Sequence, residues 1–396
     1  MSKIEAGYTK KALPEKVNKI GLILFAIGLI IGIAGYFIDS FRASYSYLIS
    51  FMFLVSIGIG SLFLVALEYI AGASWSVPFR RISEFLSSLV PLLILLVIPL
   101  ILNMHDLFHW ANKEVVANDQ ILKGKSSYLN VPFFIIRTVV IFGLWSLFYF
   151  LLTKNSRKQD ITKDQELTKK NIIISGVFVP LFAITISIIS IDWLMSLEPH
   201  WFSTIFGVYF FSGAVLSSLA ALTLITVLLN EKGFLHSKIN TDHYYSLGTL
   251  MFAFTVFWAY IAFSQYMLIW YADLPEETSW FIHRWGGAWT YISIILILVH
   301  FVVPFASLLS FNSKTNPARL KFISVWILAA HFLDLYWLIM PSLSGSEHGY
   351  AFSWFDIVYP FAAVGLTIII FNYSANKYNL VPIGDPKLER GLDFRL

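Results

Sequence analysis

The chain has 396 residues, of which 57% are hydrophobic and only 13% charged, about half the charged share of an ordinary soluble domain. It has no cysteine, which excludes disulfides, cysteine-held iron–sulfur clusters and thiolate zinc sites within it. The net charge of +4 is spread over short loops, which excludes a nucleic-acid-binding face.

Ten apolar runs reach the ~20 residues that cross a bilayer: 17–38, 47–72, 82–102, 131–152, 172–193, 203–229, 245–270, 286–309, 318–340 and 355–371. The expected fold class is therefore an all-α integral membrane protein with ten transmembrane helices. The first run follows Lys10, Lys11, Lys16 and Lys19. It exceeds the ~7–15 apolar residues of a signal peptide, and Phe37-Ile38-Asp39-Ser40 is no small-residue cleavage site, so it reads as a helix. Loops are short except 103–130 and the polar stretch 153–171, which leaves no room for a catalytic domain outside the membrane. With the N-terminus inside, all Lys and Arg except Arg42, Lys113, Lys123, Lys125, Arg137 and Arg284 fall on the inner side. That asymmetry places both termini in the cytoplasm of a bacterial inner membrane.

A repeat runs at an offset of four helices. Phe134-Ile135-Ile136-Arg137 matches Phe281-Ile282-His283-Arg284, and Asp192-Trp193 ending run five matches Asp334-Leu335-Tyr336-Trp337 ending run nine. An even offset gives both copies one orientation. They form a parallel repeat about the membrane normal, unlike the inverted repeats of many transporters. Two four-helix bundles are expected, runs two to five and six to nine, plus two flanking helices. The units are then 1–44, 45–195, 196–345 and 346–396.

Ionisable residues at membrane depth mark function or pair with one another. The repeat pairs Arg137 with Asp192 and Arg284 with Asp334, either to pin helix register or to form an outward-opening polar pathway or quinone head-group site. Asp356 also falls near an outer helix end. At the inner end, Glu68 precedes Arg80, Arg81 and Glu84, as a structural ion pair or the mouth of a proton half-channel. His300 and His331 lie on adjacent helices. Counting from the outer ends puts them roughly 7 Å apart in depth at 1.5 Å rise per residue, which argues against a shared haem. A hydrogen-bonded role or a proton relay remains for each. The turn Glu198-Pro199-His200-Trp201 is a rigid interfacial bend and a candidate docking surface. His105, His109, His236, His243, His283 and His348 show no metal spacing beyond His105-x-x-x-His109, so no metal site is expected.

Two stretches carry a resemblance: Ile191-Asp192-Trp193-Leu194-Met195-Ser196-Leu197-Glu198-Pro199-His200-Trp201 with its continuation to Gly207, and Trp75-Ser76-Val77-Pro78-Phe79-Arg80-Arg81. They resemble the polysulfide-reductase-type (NrfD/PsrC-like) membrane subunits, and most of all the smaller of two such subunits in bacterial alternative complex III. The resemblance implies a multi-subunit respiratory complex that oxidises menaquinol or another quinol and passes electrons to cytochrome c or a terminal oxidase. It implies as partners a larger NrfD-like subunit, an iron–sulfur protein and haem c proteins, alongside membrane lipids. Haem c and the iron–sulfur clusters would sit in the partners, with no redox cofactor in this chain. Proton translocation would fall to Asp192, His200, Arg137, Glu68, Glu84, His300, His331, Asp334 and Arg284. Two alternatives stay open: a quinone-binding subunit in its own right, and an independent membrane transporter.

Overall fold

The computed structural model describes residues 8–343 and 352–396. His348 and the expected unit boundary after residue 345 lie outside the described residues. Those residues are all-helical, without strands. Nine helices among them are long and apolar enough to cross a membrane, so the chain is a membrane-embedded protein. These are α1 Glu15–Ile38, α2 Ser40–Ala71, α3 Val77–Leu102, α4 Val131–Thr162, α5 Glu166–Leu197, α6 Phe206–Glu231, α7 Thr241–Ala272, α8 Ala288–Leu308 and α9 Pro317–Ser342. A further helix, α10 Tyr359–Lys377, packs along α1.

The helices differ from the expected runs where local chemistry overrides hydropathy. The stretch 153–171 is not a loop: α4 continues through its polar residues to Thr162, and α5 starts at Glu166. Lys163 ends α4 in the left-handed region at φ 55°, a helix-terminating conformation. α3 is not one smooth helix. It tightens into a 3₁₀ segment at Ser87–Leu92 around Pro91 and is interrupted again before Pro99, as expected where proline removes a backbone donor. The connection after it includes the short helices Lys113–Asn118 and Gln120–Lys125, whose N-termini are capped by Asn112 and Asp119.

α2 and α6 are buried along almost their whole length and pack against each other at the centre. α3, α4 and α5 gather beside α2, while α7 and α9 pack on α6 and α8 packs on α7 and α9. α1 has a different character. Its buried residues are Gly21, Gly28, Gly32 and Gly35, and its Ile and Leu side chains face outward. A Cβ at Gly28 would run into the backbone of Ala362 on α10, and one at Gly365 into the backbone at Phe25. Close backbone approach through small residues is how helices associate where apolar burial gives no advantage over lipid.

Gly28→Leu should therefore detach α1 from α10. Overpacking of this kind costs about 1–3 kcal/mol, seen as a lowered unfolding temperature in detergent. Ile23→Leu on the outward face should leave the transition in place.

Candidate functional site

The most unusual cluster lies within the second group of helices. His331 and Asp334 are one turn apart on α9 and so share a face. Tyr209 on α6 gives its hydroxyl to Asp334 Oδ1, and the Trp258 indole N–H on α7 reaches Oδ2 at 3.2 Å. His300 on α8 stacks on Trp258 with centroids 3.8 Å apart and lies 6.5 Å from the His331 ring. The side chains of all five are fully or nearly fully buried.

Two features of the chain build this cluster. His300 sits in a π-helical turn, Leu298–Val302, inside α8. Pro304 lacks the N–H that would bond the His300 carbonyl, and the turn widens there. On α6, Gly213 faces the His331 ring and Asp334 Oδ2, so no side chain fills the space beside them.

Two expectations are corrected here. The depth mismatch between the histidines does not hold. α8 begins at Ala288 and α9 ends at Ser342, so His300 and His331 lie twelve and eleven residues from their outer ends, almost level. Arg284 does not pair with Asp334. It closes a separate short helix, Pro275–Arg284, and lies over the end of α9. Its guanidinium donates to the carbonyls of Trp337 at 3.2 Å, Leu338 at 2.9 Å and Trp280 at 2.9 Å, and pairs with Glu198 at 3.1 Å. A cation at a helix C-terminus meets unsatisfied carbonyls, and Arg284 is exhausted there.

The first-half pair forms as expected. Arg137 grips Asp192 through two bonds of 2.8 and 3.0 Å, donates to the Tyr128 carbonyl at 2.9 Å, and lies 3.9 Å from the Tyr128 ring centre. The fork-on-carboxylate geometry satisfies both charges. His200 lies apart, half-exposed in the outer turn, 2.6 Å from Asp119. The amide of Leu122 first, then His200, hold the Asp119 carboxyl below its usual range. Its contribution is present above the unfolded carboxyl value and fades as pH falls through the lowered folded one. Lys125 bonds the Pro199 carbonyl at 2.6 Å and Trp201 stacks on Trp280 at 4.5 Å, so the turn is clamped on both sides.

At the opposite end of α2, Arg80 bonds three carboxylates: Glu68 at 2.8 Å, Asp385 at 2.8 Å and Glu84 at 3.3 Å. Arg81 pairs with Asp160 at 2.8 Å, and Ser156 donates to Glu84 at 2.6 Å. A cavity of about 190 Å³ opens beside Glu68, Arg80 and Ser83, walled by Leu219 and Leu247. Asp385 and Asp160 carry no local sequence signal, because they are supplied by the C-terminal segment and by the polar extension of α4. A further missed pair joins Arg42 to Asp356 at 2.5 Å, with Ser46 donating to the same carboxylate at 2.6 Å.

Buried hydroxyls lie on both central helices between the two ends: Ser212, Ser217, Ser218, Thr223 and Thr226 on α6 and Ser56 and Ser61 on α2, with Ser56, Ser212, Ser217 and Thr226 donating to carbonyls of their own helices. Ser218 donates to the Ser56 carbonyl at 3.0 Å. Among the described residues, the hydroxyls of Ser61 and Thr223 have no hydrogen-bond partner. No family model and no curated protein matches the chain.

Arg137→Leu should destabilise strongly, by about 3–5 kcal/mol, because it strands a buried carboxylate. Arg137→Leu with Asp192→Leu should recover most of that loss. Thermal unfolding of the three proteins checks it, and a double variant as unstable as the single would show that the pair does more than hold register.

Proposed function

We propose that the chain is a membrane subunit, with no redox cofactor of its own, of a bacterial quinol:cytochrome c or quinol:oxidase oxidoreductase complex, which it scaffolds and in which it conducts protons. In this reading ten helices cross the inner membrane with both termini in the cytoplasm. Residues 45–195 and 196–345 form the two four-helix bundles, and 1–44 and 346–396 flank them. The partners are a larger subunit of the same kind, an iron–sulfur protein, haem c proteins and a terminal oxidase or cytochrome c.

One observation carries the proton reading. Ionisable groups are buried at both ends of the central α2–α6 pair, Asp334 with His331 outside and Glu68 with Arg80 inside, and buried hydroxyls lie between them. Hydroxyl side chains both donate and accept, as a proton relay requires. The family assignment is supported by the sequence resemblance at Trp75–Arg81 and Ile191–Gly207 and by the all-helical fold with its short connections. A quinone site at Arg137 and Asp192 is not favoured, since the pair and the Tyr128 carbonyl already use most of Arg137's donors.

The test is made in the assembled complex in proteoliposomes. Asp334→Asn and Glu68→Gln should each abolish most proton release per quinol oxidised, with the complex still assembled and still reducing its acceptor. Proton release unchanged in both variants would leave scaffolding alone. Purification without haem and iron–sulfur partners would remove the respiratory assignment and favour an independent transporter.

A further inference from the structure

We infer that His300, His331 and Asp334 form a binding site for a divalent transition-metal ion, of the zinc or cobalt class. One ligand atom from each residue comes within 4.8 Å of the others. Two imidazoles and one carboxylate are a donor set that zinc, cobalt and iron(II) accept. Metal–ligand bonds of about 2.0–2.2 Å place neighbouring ligand atoms about 3.3 Å apart, so closure needs shifts on the order of 1 Å, of the kind side-chain torsions supply.

Four features support a ligand here rather than packing alone. All four ring nitrogens of His300 and His331 lack a hydrogen-bond partner among the described residues, although both rings are fully buried. Buried polar atoms are rarely left so, and a neutral imidazole nitrogen is the preferred ligand of such metals. Asp334 is held from behind by Tyr209 and Trp258, which is how the outer groups of metal sites orient a carboxylate. Gly213 keeps a side chain out of the space beside His331 and Asp334. The π-turn at His300 is the kind of helix distortion that collects at functional positions.

Arg284, the cation that the repeat aligns with Asp334, is tied to Glu198 and the end of α9. Among the described residues, the side chains bonded to Asp334 are the neutral Tyr209 and Trp258. If the proton path proposed above is correct, metal and proton compete for the same atoms, and a bound ion closes the outer end of the path. That consequence rests on the proton reading; the site itself does not.

The test uses the purified complex from cells grown with cobalt in zinc-depleted medium, because a buried site exchanges slowly. The complex should carry one cobalt ion that elemental analysis assigns to this chain, with visible d–d absorption. His331→Gln and Asp334→Asn should lose the ion and the absorption. Tyr209→Phe, which leaves all three ligands, should weaken cobalt binding by about 10–100-fold. The double variant His105→Gln with His109→Gln should keep the full signal, separating the site from the outer-loop histidines. Gly213→Ala, which adds one methyl beside the ligands, should reduce occupancy even if the ligand variants fail to assemble. Absence of cobalt from the wild-type chain, or a signal unchanged by His331→Gln, Asp334→Asn and Gly213→Ala, overturns the site. Zinc that binds with this pattern but leaves proton release untouched overturns only the competition and leaves the metal site standing.

Discussion

A charge inside an apolar bundle must be paired or hydrogen-bonded, and that constraint decides how these helices stand against one another. The clearest case is Arg80. Its three carboxylate partners come from α2, from its own helix and from the segment after α10. Arg81 adds the end of α4 through Asp160. Four parts of the chain that are far apart in sequence are thus held at one inner corner. The C-terminal segment is seated there as well, with Leu380, Val381, Leu388 and Leu392 buried and the His243 ring bonded to the Gly391 carbonyl at 2.9 Å.

The same constraint accounts for the asymmetry of the two halves. In the first, Arg137 and Asp192 neutralise each other, and the surrounding core is filled by Phe51, Phe134, Phe142 and Trp193. In the second, the arginine is displaced onto the end of α9, and the acid is held instead by a phenol and an indole. The neighbouring positions carry imidazoles. A fully paired arginine–carboxylate fork is a poor place for exchangeable chemistry. An acid held by neutral donors beside two unpartnered imidazoles keeps coordination and proton-transfer capacity. The half that departs from the repeat is therefore the half with chemical scope.

How much of this was legible in the sequence depends on the range of the interaction. Helices were readable from apolar runs, and Arg137 with Asp192 from the repeat, because both signals are periodic along the chain. Helix ends were less readable. Polar residues after Leu152 look like a loop by hydropathy yet continue α4 to Thr162, because a helix leaving the membrane needs only its own hydrogen bonds. That error in locating ends also produced the false depth mismatch between His300 and His331.

Composition and pattern alone determined that this is an all-helical membrane protein with short connections, and which ionisable residues lie at depth. They do so because water and lipid sort side chains by local hydropathy. Only the tertiary structure decided which of those residues meet. It sent Arg284 to Glu198 rather than Asp334 and brought Asp385 and Asp160 to the inner arginines. It also set two histidines level beside an acid. Those outcomes depend on helix rotation, on a π-turn just before Pro304 and on the close approach that Gly213 allows. Which residues meet cannot be read from a linear pattern, because it is fixed by contacts between helices distant in sequence.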